Sequence, residues 1–266
     1  MALQARGEAC FERRQEGNSM LTHAERLASA RTTVDYITGR SESEQGRPVL
    51  NCPGWSVYNA AVHIGRVSIA WQEMIRATPD DPESRARGYD KGGLKPPGSP
   101  TADLAAWAHS AIDELDTDDL DRRCYFSMTG GEGSVRLWGW HVASELGVHR
   151  LDVEAALDHP PSLTDREAHD AVVYTCTYFL PAMRRVTETD PGGVTVDLIT
   201  GEADATSAAI ESAAPASVTL SGPPVQVLLA LWGRPAVGVE ITDGDPEVWA
   251  SWRALPGRAF QFGTWD

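Results

Sequence analysis

The chain has no long apolar run. Nowhere in its 266 residues do about 18 apolar residues follow one another, so no membrane-spanning helix is expected. Residues 1–15 carry charges but no apolar segment, which argues against a secretory leader. Lysine is nearly absent: Lys91 and Lys95 are the only two, and every other basic residue is arginine. With 23 basic against 38 acidic residues the net charge is −15, which argues against a nucleic-acid partner and for a soluble protein. Cysteine is scarce. Cys10, Cys52, Cys124 and Cys176 form no Cys-x-x-Cys pair, so a zinc ribbon is not expected. A reduced, cytoplasmic state is the expectation, with each cysteine a small buried residue. The glycines at 130, 131 and 133 lack the Gly-Lys-Ser/Thr of a phosphate loop, and there is neither a dinucleotide fingerprint nor an internal repeat.

What is present centres on residues 138–154. On a helix turning about 100° per residue, His141, Asp152, Glu145, Trp138 and His149 fall within roughly 80° of one another. Val142, Leu146 and Val153 flank this stripe on one side, Val148, Leu151 and Ala155 on the other. Arg150 and Glu154 lie on the opposite face, spaced as an i, i+4 pair. A polar stripe walled by apolar residues places carboxylate and imidazole groups inside a bundle, where they are costly unless paired or metal-bound. His141 and His149 are roughly 12 Å apart along the axis, too far to share an ion. Glu145 and His149 lie on adjacent turns and would need at least one more ligand from another helix. A buried Glu–His hydrogen-bonded pair is the plainer alternative.

The remainder predicts two parts. Residues 1–19 read as a flexible extension. Helices are expected over 20–38, over 57–77 after a Pro53-Gly54 turn with Ser56 as cap, over 101–115, and from Ser134 to about 157. Residues 41–50 and 78–100 read as loops, the second rich in proline, glycine and charge. Four helices over 20–158 fit a bundle with a site between facing helices. His159-Pro160-Pro161-Ser162 marks a boundary. Over 162–256 the pattern is a helix (164–186, Pro181 near its end), a strand (193–199), a short strand (217–220), a helix (223–231), a strand (237–241) and a last helix (246–254). This is a small α+β domain, followed by a tail over 257–266.

Three stretches carry a resemblance. Cys52-Pro53-Gly54-Trp55-Ser56 with His63 eight residues beyond Trp55, Glu145-x-x-x-His149-Arg150-x-Asp152-x-Glu154, and Val218 through Arg234 occur in the order seen in the mycothiol-dependent maleylpyruvate isomerase family. That family's N-terminal domain is a DinB-like metal-binding four-helix bundle. The resemblance implies an α+β protein with His63, Glu145 and His149 as ligands of a divalent metal, zinc being the expected ion. It implies mycothiol as cosubstrate and a small electrophile as substrate. The position before Glu145, often histidine in the family, is Ser144 here, and His141 appears one turn earlier. For isomerisation a thiolate adds to an activated double bond, and a cation steadies the developing enolate. Arg150 or Arg234 is the candidate. The same thiolate would serve an S-transferase acting on an electrophile, and a non-catalytic metal-binding protein is the third reading. Cys52 is the competing internal nucleophile.

Overall fold

The structure, a computed structural model, describes residues 20–93, 95, 98–199, 206–210 and 216–259. The expected extension over 1–19, Cys10, and residues 260–266 of the expected tail lie outside these.

The first part is helical. Helix α1 (His23–Thr38) opens on a capping box: Thr22 accepts from the Glu25 backbone N–H, and the Glu25 carboxylate accepts from the Thr22 N–H. A single turn, α2 (Glu42–Gln45), lies in the expected loop. Helix α3 (Val57–Arg76) starts at Ser56, whose hydroxyl accepts from the Asn59 N–H. Helix α4 (Glu83–Gly93) stands where the sequence reads as a loop. Gly88 and Gly92 explain both the misreading and the structure: they weaken helix propensity, yet they let α4 lie on the α3 backbone. A Cβ on Gly88 would come within 2.6 Å of Ala70 Cα, and one on Gly92 within 2.8 Å of the Arg66 carbonyl oxygen. Helix α5 (Thr101–Asp113) also packs on α3, with Leu104 against Gly65. A hairpin, β1 (Arg123–Phe126) against β2 (Gly131–Ser134), fills the stretch expected to be turns. Ser134 then caps α6 (Val135–Ala156) by accepting from the Leu137 N–H. Helices α1, α3, α5 and α6 are the four expected, with α4 added. Their apolar faces share one core that includes Trp71, Trp138, Ile64, Met74 and Leu146.

The second part is smaller and mixed. Helix α7 (Asp165–Tyr174) runs into a π-helical turn (Thr175–Phe179) and continues as α8 (Leu180–Thr187). Pro181 accounts for the wide turn. It has no N–H for the Thr177 carbonyl and its ring crowds that oxygen, so an α-helix cannot pass through it undistorted. Four strands follow in the order β4-β3-β5-β6: β3 (Gly193–Leu198), β4 (Thr206–Ile210), β5 (Ser217–Gly222) and β6 (Glu240–Gly244). β3 and β5 are parallel, pairing Val194 with Val218 and Val196 with Leu220, and the two outer pairings are antiparallel. Strand β4 was not expected, and β6 lies three residues beyond the expected strand. The alternation of β3 buries Val194, Val196 and Leu198 and leaves Ile199 exposed beyond its end. Helices α9 (Pro224–Leu231) and α10 (Pro246–Ala259) cover the inner face. Helix α9 also packs on α7, and Trp232 at its end stacks on Phe179 at 3.9 Å. That contact brings the loop after α9 against α6. No helix among the described residues is long and apolar enough to cross a membrane.

Candidate metal-binding active site

His63 projects from α3 two turns after its cap, and Glu145 and His149 project from adjacent turns of α6. Their candidate ligand atoms lie within 4.8 Å of one another. His63 Nε2 is 3.6 Å from Glu145 Oε1, and the two imidazoles meet edge to face at 4.8 Å between centroids. Trp55, in the turn that launches α3, lies against both, 4.9 Å from the His63 ring and 5.8 Å from the His149 ring.

The donor set fits a divalent cation. Both ring nitrogens of His63 are buried without a hydrogen-bond partner, an arrangement that is expensive unless one nitrogen has a ligand to bind. Two imidazoles and one carboxylate match a catalytic zinc set, which leaves a coordination position open. Burial pushes the His63 imidazole below its ordinary value, against the pull of Glu145, so it is neutral and able to ligate. Burial alone would raise the Glu145 carboxyl. The imidazoles of His63, His141 and His149 outweigh it and hold Glu145 down at about 2, so it is ionised.

Behind the candidate ligands sits Asp152, to which the buried His149 Nδ1 comes close without completing a hydrogen bond. His149 Nδ1 is 3.3 Å from Asp152 Oδ2. Asp152 is fully enclosed. Burial would raise its carboxyl, but His149 and Arg234 keep it well below the usual carboxylate range. Arg234, from the loop after α9, donates to Asp152 from Nη2 at 2.8 Å and from Nε at 3.1 Å. It also donates to the Trp232 carbonyl from Nη1 and to Cys52 Sγ from Nη2. Of its five N–H donors, one on Nη1 has no part in these four contacts. Asn51 donates to Asp152 Oδ1 and the Cys52 thiol to Oδ2. Cys52, His149 and Asp152 also lie close enough to form a second metal-ligating group. The Arg234 guanidinium already supplies the cation there, so a second ion would meet a buried like charge. Burial and Asp152 push the Cys52 thiol up to about 12, which makes it a poor nucleophile at neutral pH.

His141 and Arg150 part company. His141 Nε2 is 3.1 Å from Glu145 Oε2, on the side away from His63. Arg150 sits on the far face of α6, where its Nε donates to Glu154 at 2.9 Å and its guanidinium lies over Tyr36. Glu154 also accepts from the Ser162 N–H and hydroxyl, so Arg150 braces the 159–162 boundary. Ser144 lines a small cavity with Asp170, Glu167 and Ser29 rather than the ligand cluster. Sequence reading put Asp152 on the stripe but had no way to find its partners Asn51 and Arg234. Tyr174, which touches His141, carried no signal at all.

Residues 26–154 match the mycothiol maleylpyruvate isomerase N-terminal domain. This stretch belongs to that family. All three residues of the cluster, and Asp152 with them, lie within this mycothiol maleylpyruvate isomerase N-terminal domain. The fold likeness reaches further. A crystal structure of the mycothiol-dependent maleylpyruvate isomerase superposes with a TM-score of 0.54 at 17% identity, covering 85% of this chain and 95% of that one. A histidine-to-alanine mutant of that isomerase gives the same TM-score and coverage at 16% identity. The second part, with its sheet and Arg234, therefore shares the overall fold as well. No curated protein matches this chain.

Proposed function

We propose that this chain is a metal-dependent enzyme in which an external thiol, mycothiol, attacks a small electrophile, and that the reaction is cis–trans isomerisation of an activated double bond. The observation that carries this reading is His63: an imidazole whose two enclosed nitrogens make no hydrogen bond, beside Glu145 and His149, in a domain of a mycothiol-using family. His63, Glu145 and His149 would hold the ion, with zinc the favoured metal. A divalent cation held there lowers the pKa of a thiol brought against it, making thiolate available at neutral pH.

The chain's own residues do the rest. Trp55 covers the rings of His63 and His149 on one side. Arg234, charged and fixed by Asp152, offers its remaining Nη1 hydrogen to the oxyanion that develops when sulfur adds to the conjugated double bond. Addition turns the double bond into a single bond. Rotation and loss of the thiol then give the isomer and return the thiol unchanged. Arg150 is a brace in this scheme and Arg234 the catalytic cation. Cys52, held protonated between Asp152 and Arg234, is not the nucleophile.

Incubating purified protein with mycothiol and maleylpyruvate, followed by mass spectrometry, tests this. The expected product has the substrate's mass, forms only with added thiol, and still forms with Cys52→Ser. A product heavier by the thiol assigns an S-transferase instead. Turnover without thiol that vanishes in Cys52→Ser makes Cys52 the nucleophile, and no turnover with any electrophile leaves a metal-binding protein.

A further inference from the structure

Glu145 has two oxygens, and the structure treats them differently. Oε1 faces His63 at 3.6 Å, on the side of the ligand cluster. Oε2 faces away from it, 3.1 Å from His141 Nε2. A carboxylate can only accept, so this close contact favours the tautomer with its hydrogen on Nε2. Nδ1 of the neutral ring is then an acceptor, and the Tyr174 hydroxyl lies 2.6 Å from it, placed to donate. The contacts at both ends of the ring favour the same tautomer of His141. The chain Tyr174–His141–Glu145 has no room for adjustment. His141 is enclosed by the rings of Trp71, Trp138 and Phe126 at 5.3 to 5.8 Å, and both it and Tyr174 are buried.

We propose that His141 and Tyr174 are positioning residues that commit Glu145 to bind the ion through Oε1 alone. This rests on the metal reading above. With Oε2 held, the carboxylate cannot swing to present both oxygens, and the coordination position it would have filled stays free for the thiol. Polar partners behind a ligating group orient it and tune the ion, and their removal commonly weakens binding by about 10- to 100-fold.

Tyr174 is also the last residue before the π-helical turn. The next residue, Thr175, accepts from Trp232 Nε1 at 3.0 Å, and the Trp232 carbonyl accepts from Arg234 Nη1 at 2.9 Å. Two adjacent residues of one helix therefore orient a ligand on one side and the catalytic cation on the other.

The test uses the full chain stripped of metal and titrated with zinc in competition with a chromophoric chelator, and separately loaded with cobalt(II). Three variants are compared with wild type: Tyr174→Phe, which removes one hydroxyl, His141→Leu, which removes the donor, and His141→Gln, which keeps an N–H. The expected result is zinc affinity reduced about 10- to 100-fold in His141→Leu, reduced less in Tyr174→Phe, and partly restored in His141→Gln. The visible cobalt spectrum should weaken as Glu145 becomes bidentate and coordination number rises, while the metal-free Tyr174→Phe protein melts cooperatively. Zinc affinities and cobalt spectra equal to wild type in Tyr174→Phe and His141→Leu overturn the proposal. A wild-type protein that binds neither ion overturns the metal reading and this inference with it.

Discussion

Arg234 meets Asp152 through two parallel contacts, Nη2 to Oδ2 at 2.8 Å and Nε to Oδ1 at 3.1 Å, joining the loop after α9 to the helix that carries Glu145 and His149. The pair is buried on both sides. It is the main electrostatic link between the sheet-bearing part and the candidate site. It also holds Asp152 beside His149, so its loss should be felt by the fold and the ligand set together.

Asp152→Ala should destabilise the protein by about 3 to 5 kcal/mol, because it leaves a buried guanidinium without its counter-charge. Urea denaturation measures this, and a loss below about 1 kcal/mol would show that water reaches Arg234 freely.

Protein purified without chelator should contain about one divalent ion per chain. His149→Ala should lose it while keeping its helical circular dichroism, since α1, α3, α5 and α6 share an extensive apolar core. Elemental analysis beside the far-ultraviolet spectrum decides. Global unfolding on chelation would make the ion structural rather than catalytic.

The metal-free protein should lose stability as pH falls below 6.5. Burial pushes His23, His63 and His141 below that ordinary value, so the unfolded chain binds protons there that the folded chain refuses. Each contribution is whole above 6.5 and declines as pH falls beneath it. Glu145 acts in the same direction lower down: held at about 2 against an ordinary 4.5, it contributes stability above 4.5 that disappears as pH approaches 2. Thermal melts from pH 7.5 to 4 should show a steady fall in Tm; a flat profile would count against the buried neutral imidazoles.

Gly88→Ala should destabilise by about 1 to 3 kcal/mol through overpacking, despite the roughly 1 kcal/mol that alanine gains in helix propensity. The new Cβ would press on the Ala70 backbone at 2.6 Å. Gly93→Ala meets nothing within 4 Å and serves as the control. Equal melting temperatures for the two variants would mean that α4 does not dock on α3.

Local signals made much of this molecule legible. Ser56 and Ser134 announced α3 and α6, and the spacing of His141, Glu145, His149 and Asp152 announced a buried polar stripe before any partner was known. Contacts across long separations were not legible. Nothing around Arg234 says that it ends on Asp152, and nothing around Tyr174 says that it meets His141. Helix α4 was hidden by the glycines that let it pack, since a residue needed for close approach looks the same in sequence as one needed for a turn. Strand β4 was missed because Ala208 and Ala209 carry little strand preference, and its order comes from pairing with β3. The π-helical turn was flagged only by Pro181, which reads equally well as a helix end.

The separation of Arg234 from its partner has a consequence for the order of synthesis. The guanidinium lies 82 residues after Asp152 in the chain. At about 5 to 20 residues per second, roughly 4 to 16 seconds pass on the ribosome between the two. His63, Glu145 and His149 have all been made by then. On the proposed function, the nascent bundle would therefore hold its candidate ligands while it still lacks the arginine, and reactivity would arrive only when the last quarter of the polypeptide docks.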